Sequence, residues 1–232
     1  MKRSHIAGAV LVLLAAFIVG MTWRNEAETV STLSDIGIDS PILVIDPGHG
    51  GEDGGAVSLS GAHESDINLA IAKRLDAALG LIGYPSHMLR ETDTSLHNED
   101  AVTIRQKKVS DLHNRAASVS AHENAVLISI HQNSYPGSQY RGAQVFFRPD
   151  DYSKSMAECL QQALVQYVDP TNHRIPKQVP KDIYLFNHIT CPAILIECGF
   201  LTNPEEELLL QRPEYQTKLA VTIAASYLKH YT

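Results

Sequence analysis

The sequence has few cysteines and no excess of positive charge. Its 232 residues include three cysteines, and none of them forms a Cys-x-x-Cys pair. An odd count without that spacing argues against a disulfide framework and against a cysteine zinc site, so any metal ligands must be His, Asp or Glu. The 19 lysines and arginines are scattered among 26 acidic residues. The basic stripe of a nucleic-acid-binding protein is therefore absent, and nucleic acid is excluded as a partner.

A long hydrophobic run stands at the N-terminus. It extends from Ile6 to Met21, follows Lys2 and Arg3, and ends near Trp23. A basic flank, a roughly membrane-spanning length and an interfacial aromatic residue are typical of a signal anchor or signal peptide, here residues 1–23. Because no Ala-x-Ala cleavage site follows, we favour an uncleaved anchor, with residues 24–40 as a linker. The rest of the chain is then exported, outside the cytoplasmic membrane or in the cell wall.

Residues 41–232 are predicted to form one α/β domain with a largely parallel sheet, because short apolar runs alternate with helical periodicity. The predicted strands lie at 42–45, 85–89, 125–130, 143–147 and 193–196. The predicted helices begin near Glu64, Asp111, Ser153 and Pro204, and a final helix carries Tyr215 to Tyr227. Asn203 is the expected cap of the helix that begins with Pro204. Residues 169–182 are expected to be a long loop.

Three predicted strands are followed directly by reactive side chains: His49, His131 and Glu197. Ligands of open α/β sheets bind outside the carboxyl ends of the strands, so we expect these side chains to meet at one edge. Glu64, at the start of the first helix, is expected to face the same edge. Two imidazoles and a carboxylate, with a fourth position left for water, are the ligand set of a catalytic zinc ion.

The roles of the two glutamates are not fixed by these placements alone. A carboxylate at the end of a buried strand is well placed to carry a proton, so we assign Glu197 as general base and acid and Glu64 as ligand. A shift of register makes His63 or Asp66 an alternative ligand. Asp46 is as well suited to cap the loop as to touch metal.

Four motifs in order resemble one known family. They are residues 45–51 (IDPGHGG), Glu64 with 67–72, residues 129–133 (SIHQN) and residues 196–203 (IECGFLTN). From residue 42 to 231 the sequence resembles the zinc-dependent N-acetylmuramoyl-L-alanine amidases of the amidase 3 type. The resemblance implies a mixed sheet flanked by helices, Zn²⁺ bound by His49, Glu64 and His131, and Glu197 as the catalytic residue. It also implies hydrolysis of the peptidoglycan amide between N-acetylmuramic acid and L-alanine.

A narrower resemblance is to the germination-specific amidases of the spore cortex. It rests on Gln144 with the two residues after it, on the run from Asn172 to Arg174, on Lys177, and on a single anchor. It implies a place in the forespore intermembrane space or cell wall, and a cut that a downstream deacetylase helps convert to muramic δ-lactam. An accessory lipoprotein is a further partner in that subgroup. Arg174 and Lys177, and Asn133 in the third motif, are candidates to bind the stem peptide.

Two other functions fit the same residues less well. A zinc peptidase or deacetylase on a similar sheet often uses two metals and more aspartates than this sequence places at strand ends. A catalytically silent peptidoglycan-binding protein could tolerate loss of a ligand or of Glu197, yet all four positions are filled. The sequence therefore predicts an active amidase.

Overall fold

The computed structural model describes residues 41–231, which form an α/β domain with one six-stranded sheet flanked by helices. The strands are β1 (Ile42–Pro47), β2 (Ser86–Met88), β3 (Ala125–Asn133), β4 (Gln144–Phe147), β5 (Lys177–Gln178) and β6 (Ala193–Phe200). The helices are α1 (Glu64–Gly80), α2 (Ile104–Ser120), α3 (Asp151–Ala163), α4 (Tyr184–Asn187), α5 (Pro204–Leu210) and α6 (Pro213–Tyr231). A π-helical turn, Leu164–Val168, follows α3 directly.

The predicted membrane segment at 1–23 and the linker at 24–40 lie outside the described residues, as does Thr232. In the part of the chain that the structure describes, no helix combines the length and the apolar character needed to cross a membrane. The division of the chain into anchor, linker and catalytic domain therefore stays a prediction.

The sheet is mixed and mostly parallel, as expected. Its strand order is β2-β1-β3-β6-β4-β5. The first four strands in this order run parallel to one another. Strand β4 is antiparallel to β6, and β5 is parallel to β4. The antiparallel strand expected from the family resemblance is thus β4, and the carboxyl ends of β1, β3 and β6 meet at one edge.

Two cores cover the two faces of the sheet. Helices α1, α3 and α6 pack on the larger core, while α2 and α4 pack on the smaller one. Successive strand residues point to opposite faces, so Ile128 and Ile130 of β3 enter the larger core and Leu127 enters the smaller one. Ser129 and His131 continue the face of Leu127. The reactive side chains of the strands thus lie on the face that α2 and α4 cover only in part.

The predicted ends of two strands and the predicted start of one helix were wrong. Strands β3 and β6 do not stop at their apolar runs, and the ladder between them pairs His131 with Glu197. The backbone hydrogen bonds of both strands continue past the apolar runs, where polar side chains point to the open face of the sheet. The prediction from hydrophobic periodicity therefore ended each strand too early. Helix α2 begins at Ile104 instead of Asp111, because Thr103 and Gln106 form a capping box ahead of it.

Other elements confirm or correct the loop predictions. Asn203 caps α5 through bonds from the backbone N–H groups of Glu205 and Glu206, with Pro204 in the first turn, as predicted. The stretch 169–182 is not all loop, since β5 lies within it. The short helix α4 was not predicted, because a single helical turn is too short to show a period.

Candidate metal centre

The side chains of His49, Glu64 and His131 converge at the carboxyl edge of the sheet. One ligand atom from each lies within 4.8 Å of the others. Nε2 of His49 is 3.4 Å from Oε2 of Glu64, and Nδ1 of His131 is 3.0 Å from Oε1. The two imidazole rings meet edge to face, with centroids 5.1 Å apart. The structure thus brings together the three residues predicted as zinc ligands.

The loop that carries His49 is held by two buried arginines. His49 has a φ of 60°, a left-handed conformation that is uncommon outside glycine. Its carbonyl accepts a bond from Nη2 of Arg115 at 2.7 Å, and the Gly48 carbonyl accepts from Nη2 of Arg90 at 3.0 Å. Both arginines also donate to the Pro47 carbonyl. These contacts fix an otherwise strained loop in the conformation that aims His49 at the site.

Glu64 is the first residue of α1 and is buried. Its two oxygens accept backbone bonds from Ala56 at 2.9 Å and Gln132 at 3.1 Å, so the carboxylate bridges the glycine-rich loop and β3. The amide of Asn68, one helical turn later, lies 3.4 Å from the same carboxylate and donates to the Gly48 carbonyl. Each of these donors stabilises the charged form and orients it toward the histidines.

The residues of the cluster shift one another's pKa values. Burial alone would raise the pKa of Glu64, but hydrogen bonds and charges from His131 and His49 hold that pKa far below its usual range. Burial alone would lower the pKa of His49, but hydrogen bonds with Asp53 and Glu64 raise it to about 9. An ionised carboxylate with an imidazole on either side forms a suitable cation site.

Glu197 stands beside this cluster. It follows Ile196 in β6 and is directly opposite His131 in the parallel ladder. Its Oε2 atom is buried and makes no hydrogen bond within residues 41–231. Burial, with a smaller effect from the charge of Glu64, raises the pKa of Glu197 to about 7. A carboxyl group with such a pKa can both take and give a proton near neutral pH.

Three alternative ligands are separate from the cluster. Asp46 is buried, forms an ion pair with Arg115, and accepts a bond from Ser129 Oγ at 2.7 Å. Burial alone would raise the pKa of Asp46, but the charge of Arg115 holds it below its usual value. Asp46 therefore anchors the loop. His63 and Asp66 are exposed and do not belong to the cluster of ligand atoms.

Sequence reasoning missed Asp53. Its Oδ2 atom lies 3.1 Å from Nδ1 of His49, and its Oδ1 atom lies 2.9 Å from Nζ of Lys108. The hydrogen bond with His49, and after it that with Lys108, holds the pKa of Asp53 far below its usual range. A carboxylate four residues after the histidine in a glycine-rich turn was the available signal, since such a turn folds back on itself.

The three predicted substrate-binding residues do not belong to the cluster of ligand atoms. Asn133 is half-buried at the end of β3, two residues beyond His131. Arg174 is half-buried and donates from Nη1 to Oε1 of Gln144 at 2.8 Å. Lys177 is exposed at the start of β5. Their roles stay predictions.

A cavity of about 390 Å³ opens against the cluster. His49, His131 and Glu197 line one side, and apolar side chains of α2 and α4, including Leu112 and Phe186, line the other. This volume is within the range of small-molecule sites. The partly covered face of the sheet therefore leaves room for a substrate beside the candidate ligands.

The residues also fit a zinc ion in their packing. Gly55 has a φ of 69°, and a Cβ placed there would lie 2.6 Å from Oε2 of Glu64 and 2.7 Å from Cδ2 of His49. The backbone thus approaches the cluster more closely than any larger residue allows. Two imidazole nitrogens and one carboxylate are the donor set of a catalytic zinc site with an open position.

Comparison with known proteins decides the family. Residues 43–228 match the family described as N-acetylmuramoyl-L-alanine amidase. The chain belongs to this family. The predictions of the family and of a peptidoglycan amidase are thereby confirmed.

Several bacterial amidases are similar to this chain over most of their length. It is 36% identical over 197 residues to the germination-specific N-acetylmuramoyl-L-alanine amidase of Bacillus subtilis, a match that covers 84% of this chain and 81% of the relative. The CwlD amidase of Clostridioides difficile, solved in complex with the GerS lipoprotein, superposes with a TM-score of 0.79 at 39% identity, covering 82% and 98% of the two chains. An N-acetylmuramoyl-L-alanine amidase from Clostridium difficile 630 gives a TM-score of 0.70 at 32% identity, covering 82% and 96%.

Proposed function

We propose that this amidase is zinc-dependent, with His49, Glu64 and His131 as ligands and Glu197 as the catalytic residue. One observation carries the proposal. The three ligand atoms lie within 4.8 Å of one another, directly beside a buried glutamate oxygen that has no partner within residues 41–231. A zinc ion held there supplies a positive charge that acidifies water and polarises a carbonyl oxygen.

The proton transfer is assigned to Glu197. Its carboxylate takes a proton from the attacking water as the water oxygen bonds to the lactyl carbonyl carbon. The same proton then passes to the L-alanine nitrogen as the carbon–nitrogen bond breaks, which makes the amine a viable leaving group. The Oε2 atom of Glu197 makes no hydrogen bond within residues 41–231, so it is free to hold the proton between the two steps.

The surrounding residues hold this arrangement in place. Asp53 accepts a hydrogen bond from Nδ1 of His49, which leaves Nε2 free to face Glu64. Such outer contacts fix the tautomer of a metal-binding histidine. Arg90 and Arg115 hold the loop carbonyls. Arg174, Lys177 and Asn133 are proposed to contact the stem peptide, with Arg174 best placed because it bonds to the register partner of Glu197.

The biological setting proposed is maturation of the spore cortex. The germination-specific relative supports this setting. The cut would then precede action of a deacetylase that helps form muramic δ-lactam. Because the similar CwlD amidase was solved with the GerS lipoprotein, an accessory lipoprotein is proposed as a partner here too. The hydrophobic N-terminal run supports export and attachment to the outer face of the cytoplasmic membrane, in the forespore intermembrane space or the cell wall.

Mass spectrometry of digested peptidoglycan tests the reaction. Purified sacculi are incubated with the full chain, with zinc or with a chelator. Zinc-dependent release of stem peptides with a free L-alanine amino group is the expected result. Release of acetate with intact stems would instead establish a deacetylase. Binding to sacculi without any release, by protein of full zinc content, would establish a silent binding protein or one that needs its partner.

A further inference from the structure

Arg174 is half-buried and forms no ion pair within residues 41–231. Within residues 41–231 no carboxylate lies within ion-pair distance of its guanidinium. Its neighbour Arg141 differs, because that side chain pairs with Asp169 at 3.5 Å and with Glu205 at 3.7 Å. The buried carboxylate of Glu206 attracts Arg174, but its oxygens accept hydrogen bonds from the backbone N–H groups of Gly142 and Phe200. The guanidinium can therefore still take an anionic ligand as a direct partner. Arg174 therefore has the features of an anion-binding residue.

Neutral contacts hold Arg174 in one orientation. Nε donates to the Arg141 carbonyl at 2.7 Å, and Nη1 donates to Oε1 of Gln144 at 2.8 Å. The guanidinium also lies over the ring of buried Phe200, 4.5 Å from its centroid. The other nitrogen, Nη2, makes no hydrogen bond within the described range. A guanidinium fixed by a stacked ring and by neutral acceptors keeps its donors ordered for a carboxylate.

Hydrogen bonds from two buried side chains hold the loop that carries Arg174 in place. Asn172 is buried, accepts a bond from the Arg174 backbone N–H, and donates to the Ala143 carbonyl at 2.8 Å. Gln144, also buried, donates from Nε2 to the Ile175 carbonyl at 2.9 Å. Hydrogen bonds thus join the start of β4 to the loop before β5 on both sides of Arg174. They fix the position of Arg174 relative to the sheet.

The position of Arg174 relative to the catalytic residue follows from the ladder. Gln144 and Glu197 are direct partners in the antiparallel pair of β4 and β6, so their side chains share one face. Adjacent strands lie about 5 Å apart. With one hydrogen bond beyond Gln144, the guanidinium falls within roughly 10 Å of Glu197. His131 lies on the other side of Glu197, in β3.

This order fixes the direction of the stem peptide. Glu197 must reach the leaving nitrogen, so the peptide side of the scissile amide lies toward Glu197 and away from His131. The peptide then continues over Gln144 toward Arg174. Two extended residues span about 7 Å, which lies within the bound of roughly 10 Å between Glu197 and the guanidinium. The first residue after the cut places its carbonyl short of Arg174, and the second reaches it.

We propose that Arg174, held by Gln144 and Phe200, binds the free α-carboxylate of the second stem-peptide residue. This inference rests on the proposed function and adds a specificity to it. The enzyme distinguishes a carboxylate from a carboxamide at that position. Arg174 does not touch the reacting atoms, so its loss raises KM more than it lowers kcat.

Two substrates that differ in one group test the proposal. They are N-acetylmuramoyl-L-alanyl-D-isoglutamate, with a free carboxylate, and N-acetylmuramoyl-L-alanyl-D-isoglutamine, with a carboxamide. The full zinc-loaded chain is expected to show kcat/KM roughly 10- to 100-fold higher on the carboxylate. Arg174→Gln should reduce that ratio to about one, and Arg174→Lys should restore part of it. Arg141→Gln removes a neighbouring cation that already has acidic partners, and should leave the ratio unchanged.

Equal cleavage of both substrates by the wild-type chain overturns the proposal while leaving the amidase reaction intact. A ratio that persists in Arg174→Gln, at wild-type zinc content and thermal stability, also overturns it. If neither substrate is cleaved, the proposed reaction fails on these short substrates, and calorimetry with the dipeptides L-alanyl-D-isoglutamate and L-alanyl-D-isoglutamine decides the subsite. Tighter binding of the carboxylate form that Arg174→Gln abolishes supports the proposal, and equal binding contradicts it.

Discussion

Asp53 and Glu64 contact opposite nitrogens of the same histidine. Asp53 Oδ2 lies 3.1 Å from Nδ1 of His49, and Glu64 Oε2 lies 3.4 Å from Nε2. The ring is therefore oriented by an acceptor on one side and presents its other nitrogen to the cluster. In metal sites this outer acceptor sets both the tautomer and the basicity of the ligand.

Replacing Asp53 by Asn should weaken zinc binding. The amide is a poorer acceptor and carries no charge, so the imidazole loses both orientation and basicity. We expect the dissociation constant for zinc to rise roughly 10- to 100-fold, measured by competition with a chromophoric chelator. Asp66→Asn, at an exposed position outside the cluster, is the matched control. An unchanged zinc affinity in Asp53→Asn would show that the contact does not orient the ligand.

Alanine variants of Gly55 and Gly83 test whether the backbone at Gly55 packs closely against the cluster, with Gly83 as the control. Both have positive φ, 69° and 70°, but a Cβ at Gly55 meets Glu64 and His49 whereas a Cβ at Gly83 meets nothing within 4 Å. Both alanine variants should lose roughly 1 kcal/mol of stability from backbone strain. Only Gly55→Ala should also lower zinc affinity. Equal zinc affinity in the two variants would contradict the close approach inferred for Gly55.

The buried pair of Asp46 and Arg115 should make stability depend on pH. Asp46→Asn leaves a buried guanidinium without its counter-charge and should cost about 3 kcal/mol near pH 7. The pKa of Asp46 is lowered in the folded chain. The stabilisation is therefore complete above the unfolded-state pKa of about 4 and is lost as the pH falls through the folded-state value.

Urea unfolding at pH 7 and at pH 3 measures this difference. The gap in unfolding free energy between wild type and Asp46→Asn should be smaller at pH 3. Glu99→Gln, at an exposed position, should show no such gap at either pH. A gap that grows on acidification would reverse the sign and refute the assignment of Asp46 as an ionised anchor.

Much of the fold could be predicted because the buried strands appear in the sequence as continuous apolar runs. The runs at 42–45, 125–130 and 193–196 each form the first part of a strand. What could not be predicted is where the strands end, because β3 and β6 continue through His131 and Glu197. The backbones of both residues still pair in the ladder, although their side chains are polar. Hydrophobic periodicity depends only on the side chains, so it does not detect this continued pairing.

The candidate site was predictable to a similar degree. Strand-end placement selected His49, His131 and Glu197, and the start of α1 selected Glu64. The structure brings the three candidate ligands together and places Glu197 opposite His131. Gln144 and the two arginines that hold the loop depend on contacts between residues distant in sequence, as between Arg90 and Pro47. Nothing in local spacing reports such contacts.

The most direct test of the account is the turnover of Glu197→Gln at matched zinc content. The glutamine has nearly the same shape and cannot carry the proton, while the three proposed ligands are untouched. We predict full zinc occupancy by elemental analysis and release of stem peptides from sacculi slowed by at least about 100-fold. Near-normal release by the zinc-loaded variant would contradict the assignment of Glu197 as the group that transfers the proton.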